Sequence, residues 1–189
     1  MTWLQSFARW VPVILLLATG PWSPLPTRAK AVPQPETWRE FNGTWSATGK
    51  REVISLGGER QASIADFNGS LLLSGPERPS VGFGAEAIVL IDSATGMVGR
   101  AVWTDDRGEH VFSELTGERT GAGSHIHGTL VGGTGRYAGI TGDYDFSWRV
   151  LVETEDGVVQ GQSMDLKGRF RIVPSPGAAT SEPAAGGSQ

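Results

Sequence analysis

From Phe41 to Val173 apolar residues recur at every second position, and no stretch keeps a helical 3.6-residue spacing. A chain patterned this way presents one apolar face when extended and none when coiled, so it is predicted to fold as strands. Eight runs can be separated: Phe41–Leu56, Ala62–Ser74, Phe83–Asp92, Met97–Thr104, Glu109–Glu118, His125–Val131, Asp143–Thr154 and Val158–Ile172. Their separators carry turn chemistry. Ala94-Thr95-Gly96, Asp106-Arg107-Gly108 and Glu155-Asp156-Gly157 read as short hairpin connections, and Ser74-Gly75-Pro76 through Pro79 reads as a longer loop.

Eight strands in hairpin order leave almost no chain for helices. An open sheet of that size would expose two edges, and closure into a barrel removes both without further residues. An eight-stranded barrel has an interior just wide enough for side chains or one small ligand. The competing arrangement is a two-sheet sandwich. Glycines within the runs (Gly43, Gly69, Gly99, Gly128, Gly161 and Gly168) favour closure, because glycine inside a strand often marks a bulge or tight bend. The expected fold class is therefore all-β, an eight-stranded antiparallel closed barrel, over residues 41–173.

The flanks read differently. Arg9 is the one charged residue among the first 27, and an apolar stretch from Trp10 to Ala18 follows it, too short to span a bilayer. Ala29-Lys30-Ala31 supplies a small-residue cleavage pattern, so residues 1–31 are expected to be a secretory signal peptide, with an uncleaved anchor as the alternative. Residues 32–40 then form an N-terminal linker, and residues 174–189, mostly Pro, Ala, Gly and Ser, a disordered tail. The expected localisation is secreted or periplasmic, with no stable membrane insertion once the signal is removed. Cleavage after Ala31 takes away Arg9, Arg28 and Lys30 and no acid, which leaves 13 basic residues against 20 acidic ones. So acidic a product is not expected to bind nucleic acid, where phosphate contacts demand clustered Lys and Arg. The absence of cysteine excludes disulfides, thiolate metal sites and thiol nucleophiles.

One motif stands apart. Gly132-Gly133-Thr134-Gly135-Arg136-Tyr137, continuing to Gly142, packs glycines where the chain must reverse, and Tyr137 is placed to plug a barrel end. With no Gly-Lys-Ser/Thr and no following helix it is not a phosphate loop. It resembles the Gly-Gly-Thr-Gly turn between late strands of the allene oxide cyclase and dirigent barrels. The resemblance implies an apolar cavity, a small hydrophobic guest, a homodimer or homotrimer, and no cofactor. It also implies, where there is catalysis, a cyclase or isomerase that works by orienting its substrate. No family catalytic residue maps onto this chain. A weaker resemblance, in Gly43-Thr44-Trp45, is to the opening strand of avidin-type and lipocalin barrels.

Five expectations concern chemistry. Glu86 stands in an apolar run. If it projects into a dry lumen it can act as general acid or base, and if it reaches the rim it cannot. Trp45, Trp103, Tyr144 and Trp148 are the expected ligand-binding rings, whether they fill the barrel or edge a cavity. Arg100 and Arg149 are candidates to pair with Glu86 or Glu114, or to orient a substrate carboxylate. His125 and His127 share a face, but Ile126 and Leu130 occupy the face that looks buried, so a solvated pair is favoured over a metal site. Asp143 and Asp145 are expected outside on the same reasoning.

Overall fold

The computed structural model describes residues 37–76, 78–120 and 123–173. The expected signal segment, most of the linker and the tail lie outside the described residues. The strands are β1 (Arg39–Gly57), β2 (Arg60–Gly75), β3 (Arg78–Asp92), β4 (Gly96–Thr104), β5 (His110–Thr120), β6 (Gly123–Gly133), β7 (Ile140–Glu153) and β8 (Val158–Ile172). Each pairs antiparallel with the next, and β8 pairs with β1, so the sheet is a closed barrel and not a sandwich. The one helical element described is a single 3₁₀ turn, Gly135–Tyr137. β1 begins two residues earlier than expected, at Arg39.

Alternation sets the faces. In β4, Met97, Ala101 and Trp103 are buried while Val98 is exposed. In β7, Ile140, Tyr144, Phe146 and Trp148 point inward. The three expected hairpin turns all form, with left-handed glycines at Gly96, Gly108 and Gly157. The Ser74–Pro79 segment is a tight connection and not the expected longer loop: Gly75 already pairs with Arg78.

The period-two pattern breaks once along β8. Asp145 of β7 pairs with Lys167 and Ser147 with Met164, so Asp165 and Leu166 together oppose the single residue Phe146. Asp165 takes a left-handed backbone, φ 55°. This bulge switches the inward positions of β8 from 159, 161 and 163 to 166. On the β1 side the same irregularity takes Trp45 out of the ladder, and its N–H donates instead to the buried Ser163 hydroxyl at 2.7 Å.

Gly43 stands at the β1–β8 register shift, as expected of a bend, and three other in-strand glycines make room for large side chains. Gly128, Gly161 and Gly168 face inward beneath rings from neighbouring strands. A Cβ at Gly128 or Gly168 would collide with Tyr144, and one at Gly161 would lie 2.7 Å from Trp148 Cε2. Their missing side chains are what let rings this large share an eight-stranded lumen.

At the end where β2 meets β3, β4 meets β5 and β6 meets β7, side chains fill the interior apart from a void of about 20 Å³. Phe41, Phe83, Trp103 and Tyr144 pack with ring centroids 5.0–6.5 Å apart, and Tyr137 from the Gly-rich segment closes the base against Phe83 at 5.9 Å. The segment is anchored from the β4–β5 turn. Thr134 N–H donates to the His110 carbonyl, His110 N–H donates to Thr134 Oγ1, and Arg136 forms ion pairs with buried Asp105 and with Glu109 (3.3 Å). Left-handed backbone at Gly132, Gly135 and Gly139 makes the reversal, and Gly142 lets β7 start hard against the β8 backbone.

Candidate functional site

The opposite end is open. Above the layer of Trp45, Phe67, Phe146 and Trp148 lies a cavity of about 260 Å³. These four rings form its floor. Trp45 meets Phe67 and Phe146 edge-on and lies 5.0 Å from Trp148, which packs 5.2 Å from Phe67. Ala87, Val89, Met97, Ile126 and Val159 wall it, and Arg51 and Arg119 stand at its rim. The volume falls just under the usual ~300–1,000 Å³ of drug-sized pockets, which suits a guest of one or two rings.

Strand ends build the rim. Inward positions of β1 run Phe41, Trp45, Ala47, Gly49 and Arg51, and those of β5 run Val111, Ser113, Leu115, Gly117 and Arg119. Each series is apolar, Ser113 apart, until the barrel opens to water, where a guanidinium is tolerated because its head stays wet. Arg51 is paired with Glu153. Arg119 has no ion pair or hydrogen bond among the described residues. The indole N–H groups of Trp45 and Trp148 are buried and have no acceptor.

The sequence-predicted residues divide sharply. Trp45 and Trp148 line the cavity. Trp103 and Tyr144 are buried lower down, in the filled half. Tyr144 hydrogen-bonds Ser113 at 2.9 Å, and burial pushes its phenol well above the ordinary range, with the Ser113 bond opposing only part of the rise. Glu86 does not enter the lumen. It lies on the outer face, where Asn68 Nδ2 donates to it at 3.1 Å, so the expected carboxylate in a dry cavity is corrected. The reason is that β3 is apolar on both faces: Ala85, Ala87 and Val89 point in, and Ile88 and Leu90, 61% and 52% exposed, point out with Glu86.

Arg100 and Arg149 are likewise outside and cannot orient a lumenal substrate. Arg100 pairs with Glu114 at 3.0 Å, as expected for one of its two proposed partners. His125 and His127 face solvent on β6 and flank Asp145 at 3.5 and 3.0 Å. No group of three side chains suited to a metal ion occurs among the described residues. Asp143 and Asp145 lie outward, Asp143 pairing with Arg169.

Arg51 and Arg119 were missed in the sequence. The signal was present, since each continues the inward parity of its strand, but both stand in polar strand ends that read as solvated.

Compared with protein-family models, with curated proteins and with solved structures, the chain matches none. Function is therefore argued from the site.

Proposed function

We propose that this is an exported β-barrel protein that holds one small apolar or aromatic molecule in the open mouth of its barrel. The observation that carries the reading is the cavity floored by Trp45, Phe67, Phe146 and Trp148. An eight-stranded barrel has no need to leave such a space, and the other half of this one leaves a void of only about 20 Å³. Export rests on the leader pattern of residues 1–31. The outer face agrees with an aqueous setting: Lys50, Asp66, Arg100 and Glu114 share one cross-strand row on it with the exposed Ile88, while the lumen is apolar, the reverse of a lipid-facing barrel.

The resemblance to allene oxide cyclases and dirigent proteins is in keeping with the closed fold and with the Gly132–Gly142 turn at its base. It keeps a second reading in play, a cofactor-independent cyclase or isomerase that holds a flexible substrate in one reactive shape. The lining disfavours acid–base chemistry, because the only titratable side chains among the described lining residues are arginines. A further reading, a filled barrel acting as a structural or interaction module, is supported by the lower half alone.

Self-association as a homodimer or homotrimer has one support. Ile64, Leu90 and Val98 are direct cross-strand neighbours on the outer face of β2–β4, and all three are more than half exposed.

The test is a titration of the full chain with 8-anilinonaphthalene-1-sulfonate, beside an Ala87→Leu variant that fills the cavity from its wall. Saturable binding near one equivalent, weakened at least tenfold in the variant, supports the reading. Absence of saturable binding by the natural chain contradicts it.

A further inference from the structure

Resting on that reading, the placement of polar groups down the cavity sets the kind of guest it takes and which end of that guest goes in first. Apart from the tryptophans, the polar lining residues are Arg51, Gln61, Ser63, Ser93, Arg119 and Ser124. All of them stand at strand ends or in a turn at the mouth. On β2 the inward positions run Gln61, Ser63, Ala65 and Phe67. On β5 Arg119 gives way to Gly117 and Leu115, and on β6 Ser124 gives way to Ile126. Ser93 lies in the β3–β4 turn, where its hydroxyl accepts the Gln61 N–H at 3.0 Å. Arg51 is turned to Glu153.

Below this polar collar the surface offers no hydrogen-bonding partner. The walls are Ala87, Val89, Met97, Leu115, Ile126 and Val159, and the floor adds Phe67 and Phe146. Trp45 and Trp148 present ring carbons only, because their N–H groups are buried away from the cavity. The backbone behind the walls is engaged in ladders that run unbroken past this level from β3 to β4 and from β6 to β7. A hydroxyl, amide or carboxylate carried to the floor loses its hydration and gains no partner. A bare ring carried there gains contact with four aromatic rings.

We infer that the guest is an amphiphile of one or two fused rings whose polar groups all lie at one end. Its bare end enters first and rests on the aromatic floor, and its polar end stays among the collar residues at the mouth. A molecule of the same size with polar groups at both ends is rejected. Binding involves no covalent step and requires no particular charge.

Two isomers test this by displacement of anilinonaphthalene sulfonate from the full chain. 2,3-Naphthalenedimethanol carries both hydroxymethyl groups at one end and leaves the other ring bare, whereas 2,6-naphthalenedimethanol carries one at each end. They contain the same atoms and the same polar groups, so their order reads position alone. The 2,3 isomer is expected to bind at least tenfold tighter. Val89→Thr puts a hydroxyl into the lower wall and should narrow that gap at least threefold by strengthening the 2,6 isomer. If that variant fails to fold, the isomer comparison on the natural chain decides alone. Equal affinities, or a preference for the 2,6 isomer, overturn the inference, and so does a folded Val89→Thr variant with an unchanged gap. Failure of both isomers to displace a probe that itself binds overturns the guest class and leaves the ligand site standing. Absence of anilinonaphthalene sulfonate binding by the natural chain removes the site itself.

Discussion

Gly128 of β6 lies directly across the sheet from Tyr144 of β7, and the Tyr144 ring occupies the space where a residue-128 side chain would stand. Gly168 of β8, opposite Tyr144 on the other side, makes room for the Tyr144 Cβ and the Phe41 ring. Gly128→Ala should therefore destabilise the barrel by about 1–3 kcal/mol through overpacking, measured by urea unfolding. Tyr144→Phe keeps the ring but strands the buried Ser113 hydroxyl, and should cost about 1–2 kcal/mol. A neutral Gly128→Ala would mean the ring does not sit there.

Asp105 couples the filled end to pH. Burial would raise its carboxyl, but hydrogen bonds from the Glu109 and Arg107 backbone N–H groups, and then from Arg136, outweigh burial and hold it down at about 2. A depressed carboxyl contributes stability that is fully present above its unfolded value of about 3.9 and is lost as pH falls towards 2. Melting temperature should therefore drop through that window, and Asp105→Asn should lower it at neutral pH while flattening the acid slope. A variant with the same steep slope would place the titration elsewhere.

At the β8 bulge, Asp165 holds a backbone conformation that costs most residues about 1–2 kcal/mol. Asp165→Gly is expected to be neutral or to stabilise by up to about 1 kcal/mol, and Asp165→Val to destabilise by a similar or larger amount. Thermal denaturation of the pair reads the sign. If Val were tolerated as well as Gly, the bulge would not require the left-handed residue.

Because Glu86 lies outside, Glu86→Gln should leave both the fold and anilinonaphthalene sulfonate binding within about twofold of the natural chain. A loss of tenfold or more would put that carboxylate back at the site.

Leu90→Lys tests self-association. If the Ile64–Leu90–Val98 face joins copies of the chain, sedimentation should show a dimer or trimer for the natural chain and a monomer for the variant, and a natural chain that is monomeric at high concentration ends that part of the proposal.

Strand count, turn positions and most inward faces were legible because one face of each strand is visibly more apolar, as in β7, where Asp143 and Asp145 oppose Tyr144 and Phe146. The same rule failed at β3. Its two faces are both aliphatic, so alternation carries no phase, and the phase comes from cross-strand packing: the small Ala85 and Ala87 turn inward because Trp103 and the floor rings need the room. The β8 bulge was also invisible, since a one-residue parity switch at an aspartate has no periodic trace. Gly43 stands at the β1–β8 register shift, as glycine inside a strand suggests, whereas Gly128 and Gly161 make room for rings. Their value lies in the rings above them, a three-dimensional fact that spacing along one strand does not encode. The rim arginines follow the parity of their strands and become informative only once the cavity beneath them is known.

The most direct measurement is an indole ¹H–¹⁵N correlation spectrum of the full chain titrated with 8-anilinonaphthalene-1-sulfonate, its tryptophan signals assigned by single Phe replacements. Seating in the barrel mouth requires the Trp45 and Trp148 N–H signals to move together and saturate, while Trp103, packed in the filled half, stays in place. Stationary Trp45 and Trp148 signals at saturating probe, or shifts confined to other tryptophans, would contradict it.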